Sequence, residues 1–290
     1  MPNILITGAN SFVGSNYKRY SKYKNINEIC LIKNKASQID FNNIDVVFHV
    51  AAIVHQKDAI PEKTYFSINT ELPIELAKRA KKAGVKQFIF MSTVKVYGKF
   101  KPGMQNWNES SKCFPDDSYG KSKYAAEQAL KELENEHFTI SIVRTPLVYG
   151  ENVKANMHSI LKLVSSFPVL PLGKINNKRS FTSVENLVGF IDRIIEKRAS
   201  GIFIAMDEKS LSTTELVKLI AKYLNKKIIL FKLPNFIIKI GILLIPQIFN
   251  RLFGSFEMNN EKTLNTLDYK ASISSEEGIK KMIHSYKQPQ

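Results

Sequence analysis

Tyr119, Lys123 and Thr93 are the residues of this 290-residue chain whose types and spacing suit proton transfer. Tyr119 and Lys123 stand four apart in YGKSK (119–123), so a helix places them on one face. An ammonium beside a phenol stabilises the phenolate. Bringing a tyrosine from its usual pKa of ~10 towards neutrality asks for roughly 3–4 kcal/mol, which a partly buried lysine and a second nearby cation can supply. Such a phenol can give a proton to a substrate oxygen or take one back. Alone, a Tyr-x-x-x-Lys pair is an ordinary helix face. Here QFIFM (87–91) reads as a strand and runs into STVKVYG (92–98). A hydroxyl at the carboxyl end of a strand lies on the side of an open sheet where ligands bind. Thr93 can therefore bond the oxygen that Tyr119 protonates.

A second constellation opens the chain. The apolar run NILIT (3–7) is followed by TGANSFVG (7–14). Gly8 allows a sharp turn out of the strand, and Gly14 allows the next helix to pack close to the sheet. Asn10, Ser11, Phe12 and Val13 bring backbone amides to that helix's first turn, where the dipole favours an anion such as a pyrophosphate. Ser11 replaces the middle glycine of a GxxGxxG pattern, and its hydroxyl can itself bond a phosphate. Gly120-Lys121-Ser122 imitates the end of a P-loop, but Pro115 stands where that motif needs glycine and no apolar strand precedes it.

These residues need a scaffold. Strands are expected over 3–7, 28–32, 45–51, 87–91 and 139–144, and helices over 12–23, 61–83 and 119–136. Nearly all-apolar strands alternating with helices predict an α/β fold, a doubly wound parallel sheet covered on both faces. Beyond Gly150 the pattern loosens to a helix over 184–197, a strand over 201–205 and a helix to 224. Ser212 and Glu215 form a capping box at the start of that last helix. The expected division is a cofactor-binding domain over 1–150 with about 182–206, and a smaller C-terminal lobe over about 151–181 and 207–290. The most apolar stretch, 236–248, carries Lys239 and is broken by Pro246, well short of the ~20 residues of a membrane span. It is expected to be a buried or half-buried helix pair, with a surface-lying membrane contact as the less favoured reading.

Composition narrows the classes. Hydrophobic residues make up 44%, enough for a core, so wholesale disorder is excluded. Two cysteines, Cys30 and Cys113, suit a reduced cytoplasmic chain, and Met1-Pro2-Asn3 runs straight into an apolar strand with no basic stretch of the signal-peptide kind. The net charge is +16, but only seven of the 42 cations are Arg, which favours a solvated surface over nucleic-acid readout. No metal-ligand spacing is present.

The segments TGANSFVG, DVVFHVAAIVH, AGVKQFIFMSTVKVYG, YGKSK, RTPLVYG, KRSFTSVENLV and LFGSFEMNN…LDYKASISSEEGIKKM occur in this order. Over nearly the whole chain they resemble the extended short-chain dehydrogenase/reductases, specifically the NAD(P)-dependent nucleotide-sugar epimerase/dehydratase family with its Rossmann fold. The resemblance implies that Tyr119 is the catalytic acid/base, Lys123 its partner and a ribose ligand, and Thr93 the orienting hydroxyl. It implies that Ala51, Ala52, Asn69 and Pro146 line the cofactor; Ile53, Met91 and Val148 are expected beside them. Substrate contacts are expected from His55, Val94, Lys95, Tyr149, Asn156, Arg179 and Arg251, the two arginines facing the phosphates of a UDP-sugar. The family's habit is a homodimer. Its 4,6-dehydratases carry an Asp-Glu pair after the threonine, where this chain has Val94-Lys95. That leaves reduction of a 4-keto sugar or 4-epimerisation. NAD enzymes usually carry an acid after the second strand; here Lys33-Asn34-Lys35 follows, which favours NADP(H) over NAD(H). The tail and STVKVYG resemble the branch acting on UDP-4-keto-6-deoxy-N-acetylhexosamines in bacterial surface polysaccharide synthesis, so the 4-ketoreductase is the first expectation and the UDP-hexose 4-epimerase the second. A non-catalytic Rossmann protein binding cofactor or RNA is a further alternative, disfavoured by the presence of both Tyr119 and Lys123.

Overall fold

A computed structural model describes residues 1–54, 60–98, 106–153 and 155–288. In chain order the elements are β1 (Ile4–Thr7), α1 (Phe12–Tyr20), β2 (Ile26–Ile29), β3 (Val46–His49), α2 (Glu62–Phe66), α3 (Leu72–Lys82), β4 (Gln87–Thr93), α4 (Ser118–Lys131), β5 (Thr139–Thr145) and β6 (Leu147–Tyr149). There follow α5 (Ala155–Ser166), β7 (Val169–Leu170), β8 (Phe181–Ser183), α6 (Val184–Glu196), β9 (Gly201–Ile204), α7 (Thr213–Leu224), β10 (Ile229–Leu230), α8 (Asn235–Leu244), α9 (Pro246–Phe253), α10 (Glu261–Leu267) and α11 (Ser275–Lys287).

Six strands pair in parallel in the order β2-β1-β3-β4-β5-β9. Because β2 and β3 flank β1, the chain leaves β1 and β3 towards opposite sides, which opens a crevice above their carboxyl ends. Only a short 3₁₀ turn at Ala36–Gln38 separates β2 from β3, so the crossover has no α-helix. The β4 and β5 strands are buried along their whole length, as expected for central parallel strands. One face packs against α1 and α6 through Tyr17, Leu187, Phe190 and Ile194. The other packs against α3 and α4 through Leu76, Ala80, Ala126 and Leu130. A separate core, including Met157, Leu161, Leu216, Ile220 and Ile283, joins α5, α7 and α11. Leu267 of α10 packs into the sheet-side core with α6.

Two expectations change. The helix expected over 61–83 is interrupted by a π-helical turn at Ser67–Glu71. Its cause is Pro73, which has no amide to give the Asn69 carbonyl and whose ring would clash with it. The Leu72 amide reaches back five residues to the Ser67 carbonyl. The second change is at α8 and α9, expected first as a buried or half-buried pair. Phe236 is 64% exposed, Leu243 81% and Leu244 72%. Gly241 seats the Phe249 ring and locks the two helices together, but their outer apolar faces have no cover. Among the described residues no helix is long and apolar enough to cross a membrane.

Candidate active site

The glycine turn sits at the base of the crevice. Gly8 has φ +129°, and a Cβ there would come within 2.8 Å of the Ala51 amide nitrogen, so β1 and the segment after β3 touch because Gly8 has no side chain. Asn10 adopts φ +61° and is exposed. Ser11 caps α1 by accepting the Gly14 amide at 3.0 Å, a role that still leaves its hydroxyl proton to donate. Phe12 and Val13 are the first two helical residues, so their amides have no intrahelical carbonyl to bond. Their side chains pack on opposite cores, which fixes the turn. Ala51, Ala52 and Ile53 border the crevice, half-buried, with the Ala51 amide on the Thr7 carbonyl at 3.0 Å.

Asn69 lies in the π turn and is fully buried. Its amide accepts from the Ile53 nitrogen at 2.9 Å, donates to the Ile53 carbonyl at 2.9 Å and reaches the Ser122 hydroxyl at 3.2 Å. It therefore ties the cofactor-side loop to the helix that carries the tyrosine.

That helix, α4, is capped by Asp117, which accepts the Gly120 amide at 2.7 Å and the Lys95 ammonium at 2.6 Å. The cap places Tyr119 at the mouth of the sheet. Its hydroxyl is hydrogen-bonded to Thr93, at the end of β4. Burial pushes the Tyr119 pKa up to about 12, against a lowering by the Thr93 hydroxyl, and Asp117 adds to the rise. Lys95 stands 5.7 Å from the centre of the Tyr119 ring.

Lys123 corrects an expectation. It is on the same helix but donates to the Met91 carbonyl at 2.8 Å and lies over the Phe90 ring. It is not among the groups that set the Tyr119 pKa. Burial pushes its own pKa down to about 7, opposed by Glu127. The ammonium thus sits beneath the site with its proton weakly held.

Below it is a polar network that sequence reading missed. Buried Glu127 accepts from Arg144 Nη2 at 2.6 Å and from the Ser92 hydroxyl, and Arg144 also donates to the Tyr97 hydroxyl at 2.9 Å. The signal was available: Glu127 is four residues beyond Lys123, on the same helix face. Likewise missed is His49, wholly buried at the end of β3, bonded to the Thr7 hydroxyl at 2.8 Å and stacked beside Phe88 and Phe90. Burial, then the Lys123 charge, hold its pKa down to about 3, so the ring is neutral.

Several expected substrate residues gather at the other side. Arg179 donates to the Gly254 carbonyl at 3.0 Å, and Arg251 of α9 donates to Asn156 at 2.9 Å. Burial and the neighbouring Arg251 charge lower the Arg179 pKa to about 10. Neither guanidinium forms an ion pair among the described residues. Two adjacent cations with no carboxylate paired to either among the described residues have the chemistry to bind a diphosphate. Two expected contacts fall elsewhere. Tyr149 is buried and gives its hydroxyl to Asp207 at 2.6 Å, where it braces β6. Val94 is buried in a core with Val96, Trp107 and Met258. His55 lies outside the described residues. Met91 and Pro146 are buried, and Val148 is half-buried beside the sheet-side core. Lys33 is exposed beyond β2, while Asn34 turns its amide to the Cys30 carbonyl at 2.9 Å.

Residues 4–204 match the NAD dependent epimerase/dehydratase family. The chain belongs to it. A UDP-glucose 4-epimerase of Vibrio cholerae is 32% identical over 99% of this chain and 96% of its own length. An N-acetyl-alpha-D-glucosaminyl-diphospho-ditrans,octacis-undecaprenol 4-epimerase of Escherichia coli O157:H7 is 30% identical over 80% of this chain and 75% of its own. The crystal structure of UDP-glucuronic acid 4-epimerase from Bacillus cereus in complex with NAD superimposes with a TM-score of 0.76, covering 98% of each chain at 18% identity; that likeness shows the shared fold.

Proposed function

We propose that the protein transfers a hydride between a nicotinamide cofactor and C4 of a sugar carried on a diphosphate. The observation that carries this reading is the Tyr119–Thr93 hydrogen bond at the carboxyl edge of β4, on the sheet edge that also bears the glycine turn. The residues present fit a dinucleotide: a Cβ at Gly8 would fill the contact with Ala51, and the free amides of α1 suit a pyrophosphate. When bound, the cofactor supplies or accepts the hydride. Thr93 orients the C4 oxygen, and Tyr119 gives it a proton or removes one. Lys123, held beneath the site by the Met91 carbonyl, is the donor placed to meet the cofactor's ribose hydroxyls. Arg179 and Arg251 hold the substrate phosphates.

The residues after Thr93 disfavour dehydration, because Val94 is buried and Lys95 is engaged by Asp117, leaving no acid or base of the dehydratase kind at those positions. Our first reading is reduction of a UDP-4-keto-6-deoxy-N-acetylhexosamine with NADPH, supported by exposed Lys33 and Lys35 beyond β2 with no carboxylate from 30 to 39. The second is redox-neutral 4-epimerisation, supported by the activities named for the two relatives above. Incubation with NADPH and the 4-keto sugar, beside UDP-GlcNAc and UDP-GalNAc without added reductant, separates them. The first reading expects cofactor oxidation only with the keto sugar; interconversion of the two UDP-sugars without cofactor consumption supports the second and overturns the first.

A further inference from the structure

The α8–α9 hairpin gathers many of the exposed large apolar side chains among the described residues. Leu243, Leu244, Phe236, Ile240, Ile248 and Ile245 are each about half exposed or more, a contiguous apolar face of the kind that marks an interaction site. With ten and eight residues the helices are far too short to span a bilayer. The charge around them is one-sided. Residues 216–256 contain no Asp or Glu and seven Lys or Arg. Lys227, Lys232 and Lys239 are exposed. Lys222 of this stretch is paired with Glu276, but exposed apolar residues with exposed lysines in the same stretch match a surface of anionic headgroups over acyl chains. A soluble protein partner of ordinary mixed charge would have no reason to exclude every acid from 41 consecutive residues.

The hairpin is also fastened to the candidate diphosphate site. Asn177 holds its end through the Leu252 and Gly254 carbonyls. Arg179 bonds Gly254, and Arg251 belongs to α9 itself. We propose that the α8–α9 hairpin lies in the interface of an anionic lipid bilayer and seats the Arg179–Arg251 side of the site at headgroup level. Pro246, Gly241 and Phe249 give the hairpin a fixed shape for this, with its apolar residues held outward in the free protein.

Flotation of the full chain with phosphatidylglycerol/phosphatidylcholine vesicles tests the proposal. The wild type is expected to float with the anionic vesicles, less with phosphatidylcholine alone, and less as salt rises. Leu243→Glu combined with Leu244→Glu is expected to cut vesicle binding by about tenfold or more. Both side chains face solvent, and an unchanged circular dichroism spectrum and thermal transition show that the variant folds. A wild type that stays with the soluble fraction, or a folded double variant that floats equally well, overturns the proposal. So does light scattering showing that this face is covered by a second copy in solution and that vesicles do not compete with it. Because the readout is lipid binding, a negative result leaves the C4 chemistry standing, and absent turnover leaves the docking result standing.

Discussion

Tyr119 and Thr93 share one hydrogen bond, and the proposed function gives them different tasks. Tyr119→Phe removes the proton and is expected to abolish nearly all turnover while cofactor affinity stays within a few fold. Thr93→Val leaves the phenol in place and is expected to lower kcat by roughly 10²-fold; steady-state kinetics and cofactor titration read both. Lys123 makes a separate statement about pH. Its pKa is about 7 in the folded protein against 10.5 when exposed, so above about pH 7 the unfolded chain binds more protons, and stability rises with pH until about 10.5. Lys123→Met is therefore expected to gain stability relative to the wild type near neutrality, with the gap closing as pH approaches 10.5 in paired denaturation curves. Loss of the Met91 carbonyl bond subtracts a constant from that difference and leaves its slope. Beneath it, Glu127→Ala strands a buried guanidinium and is expected to cost about 3–5 kcal/mol in urea unfolding. Tyr119, Lys123 and Thr93 were legible in sequence as types and spacings. The direction in which Lys123 points was not, because the Met91 carbonyl that receives it comes from a strand 32 residues away.

Elements set these positions, and their legibility follows what fixes them. Buried parallel strands announce themselves as apolar runs, so β1, β3, β4 and β5 were readable. The Ser212–Glu215 capping box forms as expected, with the Ser212 amide on Glu215 at 2.7 Å. The π turn was hidden, since one extra residue in a turn barely shifts the apolar period, although Pro73 is its local cause. The turn aims Asn69 at both polar groups of Ile53. Asn69→Ala would leave a buried amide and carbonyl unpaired at Ile53. It is expected to lower stability by about 1–3 kcal/mol and weaken cofactor binding, read by thermal shift with and without NADPH. Tyr149 was expected at the substrate through the resemblance of RTPLVYG, yet Asp207, distant in sequence, claims its hydroxyl.

At the scale of the molecule, the sheet supplies a cofactor crevice on one side and α9 brings Arg251 beside Arg179, so the proposed function places the substrate between two separately packed cores. The apolar hairpin was misread because a hydrophobic run usually signals burial; only its one-sided charge, with no acid between Glu215 and Glu257, pointed to an exposed face. The proposed function unites the whole as hydride exchange at C4 coupled to the Tyr119 proton. The most direct test uses NADPH deuterated at the transferable position, the UDP-4-keto-6-deoxy-N-acetylhexosamine, and proton NMR of the sugar product. Wild-type enzyme is expected to place deuterium on C4, and Tyr119→Phe to place almost none. A sugar without label at C4, or labelled equally fast by the phenylalanine variant, contradicts the account.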